Sequence, residues 1–215
     1  MAINLRQERS SEELEDGIIV YQNFLDVQPL GRLLAAINDP QTKWTLGKAV
    51  DNTIPPEFVN SFDDNPLHQR FPECEAKYNL HATRLLLDFS TIFEPDHYPS
   101  SNASFAILSC LCSTLEKYLN VDTWKRIKIN RTFATDKIVE HGFHVDHLPL
   151  TDKAQNGTTA ILHLDNSNGY TKFAKNNIKI PSKQNQLIAF PTHLYHTGTT
   201  CTDQSFRTVI NFNFY

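Results

Sequence analysis

No Cys-x-x-Cys pair occurs in the chain, and none of its four cysteines (Cys74, Cys110, Cys112 and Cys201) stands at metal-ligand spacing beside a histidine. They read as the reduced thiols of a cytoplasmic protein. No run approaches the roughly 20 apolar residues that a bilayer span requires, so no membrane span is expected. Residues 1–16 are polar and charge-dense, with no apolar segment of the kind a secretory leader carries. A basic excess is missing too. Twenty Lys and Arg face 24 Asp and Glu, a net charge of −4, which leaves no electrostatic footprint for nucleic acid. The expected partner is therefore a protein, a peptide or a small molecule. There is no internal repeat and no low-complexity tract. What remains, 215 residues of which 40% are hydrophobic and 20% charged, fits one soluble domain with a full core.

The informative stretch is Gly142-Phe143-His144-Val145-Asp146-His147, taken with Leu194-Tyr195-His196 and Arg207. Residues at i and i+2 of an extended strand point to one face, so His144 and Asp146 can grip one ion while Val145 points away. A third ligand, His196, must come from another strand. Two imidazoles and one carboxylate make the facial ligand set of a non-haem iron(II) site, which leaves one side of the metal open. His141 and His147 compete for the first position and His193 for the third. His141 has no carboxylate two residues on, and His193 lies fourteen residues before Arg207 against eleven for His196. A guanidinium at 207 can hold a carboxylate through two parallel hydrogen bonds.

These residues carry a resemblance. His144-x-Asp146, His196 and Arg207 are similar to the pattern of the 2-oxoglutarate and iron(II)-dependent oxygenases, above all the prolyl-4-hydroxylase-like branch and its phage-type members. The likeness covers residues 126–215 well and the start of the chain loosely. It implies Fe(II), 2-oxoglutarate and O2 as the reacting set, ascorbate as reductant, and release of succinate and CO2. His144, Asp146 and His196 would be the catalytic metal ligands, and Arg207 would hold the distal carboxylate of 2-oxoglutarate. His163 stands where the family strand has a tyrosine sharing that carboxylate, and it can donate the same hydrogen bond. Asn130 would donate to the cosubstrate from the preceding strand. The implied outcome is hydroxylation of a C–H bond in a protein, prolyl residues included, or in a small molecule. Halogenases usually lack the carboxylate ligand, so Asp146 argues against that outcome. The competing expectation is a cupin-like metal-binding protein or isomerase with no 2-oxoglutarate turnover.

The rest of the chain predicts an α+β fold, a double-stranded β-helix (a jelly-roll sandwich) backed by N-terminal helices. Residues 1–125 would be mainly helical support and 126–215 the core with the metal site, all within one domain. Residues 1–16 read as a solvated lead-in and Ile18–Tyr21 as a strand. Asp26 caps a helix with Pro29 in its first turn and Leu30, Leu33, Leu34 and Ile37 on one side, stopped at Asn38-Asp39-Pro40. Residues 44–50 read as a strand, and the proline-bearing stretch 51–72 as a long loop, either a lid or a surface excursion. The pattern over 73–93 predicts a helix with Leu85, Leu86, Leu87 and Phe89 buried. A second helix runs from Ser101 or Asn102 to Leu119 along a stripe of Phe105, Leu108, Cys112, Leu115 and Leu119. From Trp124 the period changes to two, with strands at 126–134, 141–147, 158–164, 170–173, 178–180, 186–190, 195–200 and 205–214. On the last of these, Phe206, Ile210, Phe212 and Phe214 share one face and Arg207, Val209, Asn211 and Asn213 the other. The apolar face should meet the helices and the polar face should line the interior, where a buried Arg207 requires an anion.

Overall fold

In the computed structural model the chain opens with a polar strand, β1 (Ser10–Glu13), a 3-10 turn at Glu15–Gly17, β2 (Ile19–Gln22) and α1 (Val27–Ile37). β3 (Thr45–Lys48), β4 (Leu80–Asp88) and α2 (Asn102–Tyr118) lead to β5 (Trp124–Phe133). Then come β6 (Thr158–His163), β7 (Tyr170–Phe173), β8 (Lys179–Pro181), β9 (Gln186–Pro191), β10 (His196–Gly198) and β11 (Phe206–Phe214). The structure describes residues 8–40, 42, 44–48, 80–88, 102–146 and 157–215, with backbone alone for 45–48, 80–88 and 102–108. Among the described residues no helix is long and apolar enough to cross a membrane. Cys110, Cys112 and Cys201 are free thiols, and Cys74 lies outside the described residues.

Every strand pairing is antiparallel. Eight strands form one sheet in the order β1-β2-β9-β6-β11-β5-β4-β3, and three form a second in the order β10-β7-β8. The alternation along β11 decides how the layers stack. Ile210, Phe212 and Phe214 are buried in one cluster with Leu33 and Ile37 of α1, Leu111 and Leu115 of α2, and Ile127 and Ile129 of β5. Burying each such side chain contributes about 1.5–3 kcal/mol, so this face fixes where the helices lie. The opposite face of the large sheet, with Val20, Ile161, Ile188, Phe190 and Val209, packs on Phe173 and Ile180 of the small sheet. Asn185, in the turn before β9, pins the approach to α1 by accepting from Leu25 N–H and donating to Leu25 C=O, each at 2.8 Å.

The helix predicted over 73–93 is not there. Residues 80–88 form β4, paired along its length with β5 from His81↔Thr132 to Asp88↔Arg126. The remainder of 73–93, like the loop at 51–72, lies outside the described residues. A second correction concerns the lead-in, since Ser10–Glu13 pairs with Ile19–Gln22 although all four of its residues are exposed. Backbone hydrogen bonds hold it, and its charged, polar side chains make an edge that discourages pairing with another chain. The first 125 residues thus supply both edges of the large sheet as well as the two helices. Within the strand predicted over 141–147, the described residues 141–146 form no regular strand; Glu140 and His144 make isolated bridges to Thr199 and His196. Asp26 does sit at the N-cap of α1 but makes no side-chain capping bond. Among the described side chains of α2, Leu111 and Leu115 are buried and Cys112 is partly buried, as is Leu119 just past its end, while Phe105 and Leu108 lie outside them.

Candidate metal centre

His144 and His196 are brought face to face by backbone. Each donates its N–H to the other's carbonyl, at 3.0 and 2.9 Å, a directly opposed antiparallel pair that sends both side chains to one side. Their ring centroids are 4.6 Å apart. Asp146, two residues beyond His144, closes the group, and one ligand atom from each of the three residues lies within 4.8 Å of the others. His144 Nε2 is 3.7 Å from Asp146 Oδ1, and His196 Nε2 is 3.9 Å from Oδ2. Ligand atoms about 2.1 Å from an ion and at right angles stand about 3 Å apart, so each of these two His–Asp gaps need close by less than about 1 Å.

The tautomers follow from the partners. His144 Nδ1 faces Gly142 C=O at 3.3 Å and His196 Nδ1 faces Leu194 C=O at 3.0 Å. A carbonyl only accepts, so Nδ1 carries a proton in both rings and each Nε2 is turned toward the carboxylate. His196 Nε2 is buried without a hydrogen-bond partner, which is costly for a polar atom and is relieved by an ion. Burial, then the neighbouring His196, pulls the His144 pKa down to about 4, so the ring is neutral near pH 7. Burial pushes Asp146 up, but the two rings, Arg126 and Asn213 together hold it down to about 2. His144 therefore stands as a neutral imidazole beside an ionised Asp146, the protonation a divalent cation needs.

Two supporting residues were not among the site residues read from the sequence. Asn213 Nδ2 donates to Asp146 Oδ2 at 3.1 Å and to Thr159 Oγ1 at 3.1 Å, while its Oδ1 accepts from Arg126 Nε at 3.1 Å. Arg126 Nη2 lies 3.5 Å from Asp146 Oδ1. Arg126, Asn213 and Thr159 are register partners across β5, β11 and β6, so one row of the large sheet orients the carboxylate. Parity alone could have flagged Asn213, which shares its face with Arg207. Phe190 and Phe173 close the back of His196, with centroids 4.7 and 6.2 Å from its ring.

Arg207 is 4% exposed. Its Nε donates to Ser182 Oγ at 2.5 Å and its Nη2 to Thr171 Oγ1 at 3.0 Å, and each hydroxyl keeps its own proton to donate onward. Burial lowers its pKa to about 10 against the attraction of Asp165, so it remains a cation at neutral pH. Asp165 itself accepts the Thr208 N–H. His163 is fully buried, and both ring nitrogens lack a hydrogen-bond partner. It is the register partner of Val209 on β11 and of Gln186 on β9, and Asn130 on β5 is the next partner of Val209. His163 and Asn130 thus lie in the row next to Arg207, on the face that also carries Arg126 and Asn213. Neither rival histidine within the described residues joins the triad: His193 is exposed in a turn, and His141 is held through its backbone by Gly198 and Thr197. His147 lies outside the described residues.

Burial, then Arg207, holds His163 well below its ordinary value of 6.5. A folded form that stays neutral while the unfolded chain binds a proton loses stability as pH falls below that value. His163 should therefore cost the metal-free protein about 1 kcal/mol per pH unit below about 6.5. In denaturant titrations at pH 7 and 5.5, His163→Gln should shrink the difference between the two midpoints. An unchanged difference would show that the ring is protonated in the fold.

No protein-family model matches the chain, and no curated protein sequence matches it. Solved structures do. A 2OG-Fe(II) oxygenase family oxidoreductase from Burkholderia pseudomallei superposes with a TM-score of 0.57 at 12% identity, over 93% of this chain and 86% of that one. A viral collagen prolyl hydroxylase from Paramecium Bursaria Chlorella virus-1, solved with 2OG, gives 0.51 at 12% identity over 91% and 94%. A prolyl hydroxylase from Trichoplax adhaerens, in complex with a hypoxia inducible factor peptide fragment, gives 0.54 at 12% identity over 93% and 84%. The chain has the fold of the 2-oxoglutarate/Fe(II) oxygenases and prolyl hydroxylases.

Proposed function

We propose that this protein is an Fe(II)- and 2-oxoglutarate-dependent dioxygenase that hydroxylates a C–H bond of a protein, prolyl residues included, or of a small molecule. The observation that carries the reading is the convergence of His144, Asp146 and an otherwise unpartnered, buried His196 Nε2 beside a buried Arg207. The two-sheet arrangement with helices outside the larger sheet is read as the jelly roll of that class.

Bound iron and 2-oxoglutarate would together supply the oxidising chemistry, with succinate and CO2 as coproducts. His144, Asp146 and His196 would hold the ion from one side and leave the other side open to ligands. Asn213 and Arg126 keep the Asp146 carboxylate ionised and oriented. Arg207, with the hydroxyls of Thr171 and Ser182, would hold the distal carboxylate of the cosubstrate. His163, neutral and buried, has an N–H to add to that carboxylate. Phe173 and Phe190 keep water from the rear of His196.

The test is succinate formation from 2-oxoglutarate with Fe(II), ascorbate and oxygen, run with and without candidate peptides. Iron-dependent succinate is expected even without a prime substrate, at a slow uncoupled rate. In parallel, anaerobic titration of the iron-loaded protein with 2-oxoglutarate should raise the visible charge-transfer band of the chelate. Neither succinate nor band would sink the reading and leave a cupin-like metal-binding protein or isomerase.

A further inference from the structure

Two glycines pack against Arg207. The inner face of the small sheet carries Phe173 opposite His196 and, one row on, Thr171 opposite Gly198. Rows on one face are about 6.6 Å apart. Arg207 lies along this face. Its Cδ passes Gly169, its Nε meets Ser182, and its head spans the second row with Nη2 on Thr171 and Nη1 over Gly198. The side chain is thus aimed along the sheet at the row that holds His196. A β-carbon on Gly198 would stand 3.2 Å from Arg207 Nη1, and one on Gly169 would stand 2.7 Å from Arg207 Cδ and 2.8 Å from Thr200 C=O. The first is a crowding that the guanidinium must relieve by a few tenths of an ångström. The second collides with backbone and has no cheap escape.

We infer that Gly169 and Gly198 form a slot that fixes the reach of Arg207 toward the metal centre, and that this reach selects the chain length of the 2-oxo diacid the site accepts. The inference rests on the dioxygenase reading and adds a specificity determinant to it. A hydrogen bond tolerates a donor–acceptor range of about 0.5 Å, less than the length of one methylene, so a rigidly seated guanidinium discriminates diacids that differ by one carbon. Gly198 is a positioning residue here, since it acts only through Arg207.

The experiment is anaerobic titration of the Fe(II)-loaded protein with oxaloacetate, 2-oxoglutarate and 2-oxoadipate, followed by the charge-transfer band and by calorimetry. The wild-type protein should prefer the five-carbon acid over each neighbour by on the order of tenfold or more. Gly198→Ala should weaken 2-oxoglutarate by on the order of tenfold and flatten the preference, with Fe(II) affinity unchanged. Gly31→Ala, on α1 with nothing within 4 Å of the added carbon, is the control and should alter neither. On an Arg207→Lys background, where no Nη1 stands over residue 198, Gly198→Ala should change 2-oxoglutarate affinity by less than about twofold. Unchanged chain-length preference in Gly198→Ala, or a full tenfold loss on the lysine background, overturns the inference while leaving the dioxygenase reading intact. A wild-type protein that binds iron but none of the three acids overturns both.

Discussion

Asp146→Ala should abolish metal capture and, with it, any iron-dependent succinate formation. The expected loss of Fe(II) affinity exceeds about 100-fold, because removing a mere outer partner of a metal ligand already costs about 10–100-fold. The site makes the effect larger than the loss of one oxygen donor. Asp146 is the only anion of the triad, its side chain is 5% exposed, and both Nε2 atoms point at it. Without it, two imidazole rings 4.6 Å apart would have to hold a divalent cation beside the positive charge of Arg126. A thermal-shift series with Fe(II), or Mn(II) in air, reads this directly, since a ligand that binds only the folded state raises the midpoint with concentration. The wild-type midpoint should climb and that of Asp146→Ala should stay flat. Asp146→Asn separates charge from shape: it keeps the volume and a partner for Asn213, yet should bind metal almost as poorly. A metal-dependent shift retained in both variants would remove Asp146 from the ligand set.

The grouping of His144, Asp146 and His196 was legible because extended backbone puts i and i+2 on one side, even where, as at 141–146, it forms only isolated bridges. His144 and Asp146 at i and i+2, and the split of β11 into an apolar and a polar face, are each readable without knowing which strand pairs with which. The same property hid the rest. Residues 80–88 contain a run of three leucines, and an apolar run that short fits a helix and a strand equally well. What decides it is pairing with β5, whose partners run from Thr132 for His81 to Arg126 for Asp88, far along the chain, which no local pattern encodes. β1 was invisible for the opposite reason: Ser-Ser-Glu-Glu buries nothing, so its place in the sheet rests on backbone bonds to β2. Asn213 and Arg126 were missed because an orienting residue is defined by register across β5 and β11, not by spacing along the chain. Gly169 reads in the sequence only as the end of the turn Asn166-Ser167-Asn168-Gly169, and Gly198 gives no signal. Their role is visible only against the side chain of Arg207.

Arg207→Ala should produce a loss of a different kind: Fe(II) affinity within about twofold of wild type, and 2-oxoglutarate affinity lower by on the order of 100-fold or more. Breaking a buried charge pair by removing one partner costs about 3–5 kcal/mol, which is that factor or greater. Arg207→Lys should fall between, since an ammonium brings the charge without the planar fork that donates in parallel. The substitution also has a structural consequence that must be read separately. Burial already pushes Asp165 up, against the Thr208 N–H and Arg207, which lower it. Removing the guanidinium raises it further. A buried carboxyl with a raised folded pKa destabilises the fold while ionised, so Arg207→Ala should be least stable near neutral pH and recover part of the deficit as pH falls toward 5. Titrating iron-loaded protein at pH 7 with 2-oxoglutarate, after confirming equal metal content, keeps the two effects apart. If Arg207→Ala loses iron and 2-oxoglutarate together, as Asp146→Ala should, then Arg207 supports the fold of the triad and the cosubstrate carboxylate must be held elsewhere. If it loses only the second, the two ends of the site are separate devices, one for the metal and one for the acid.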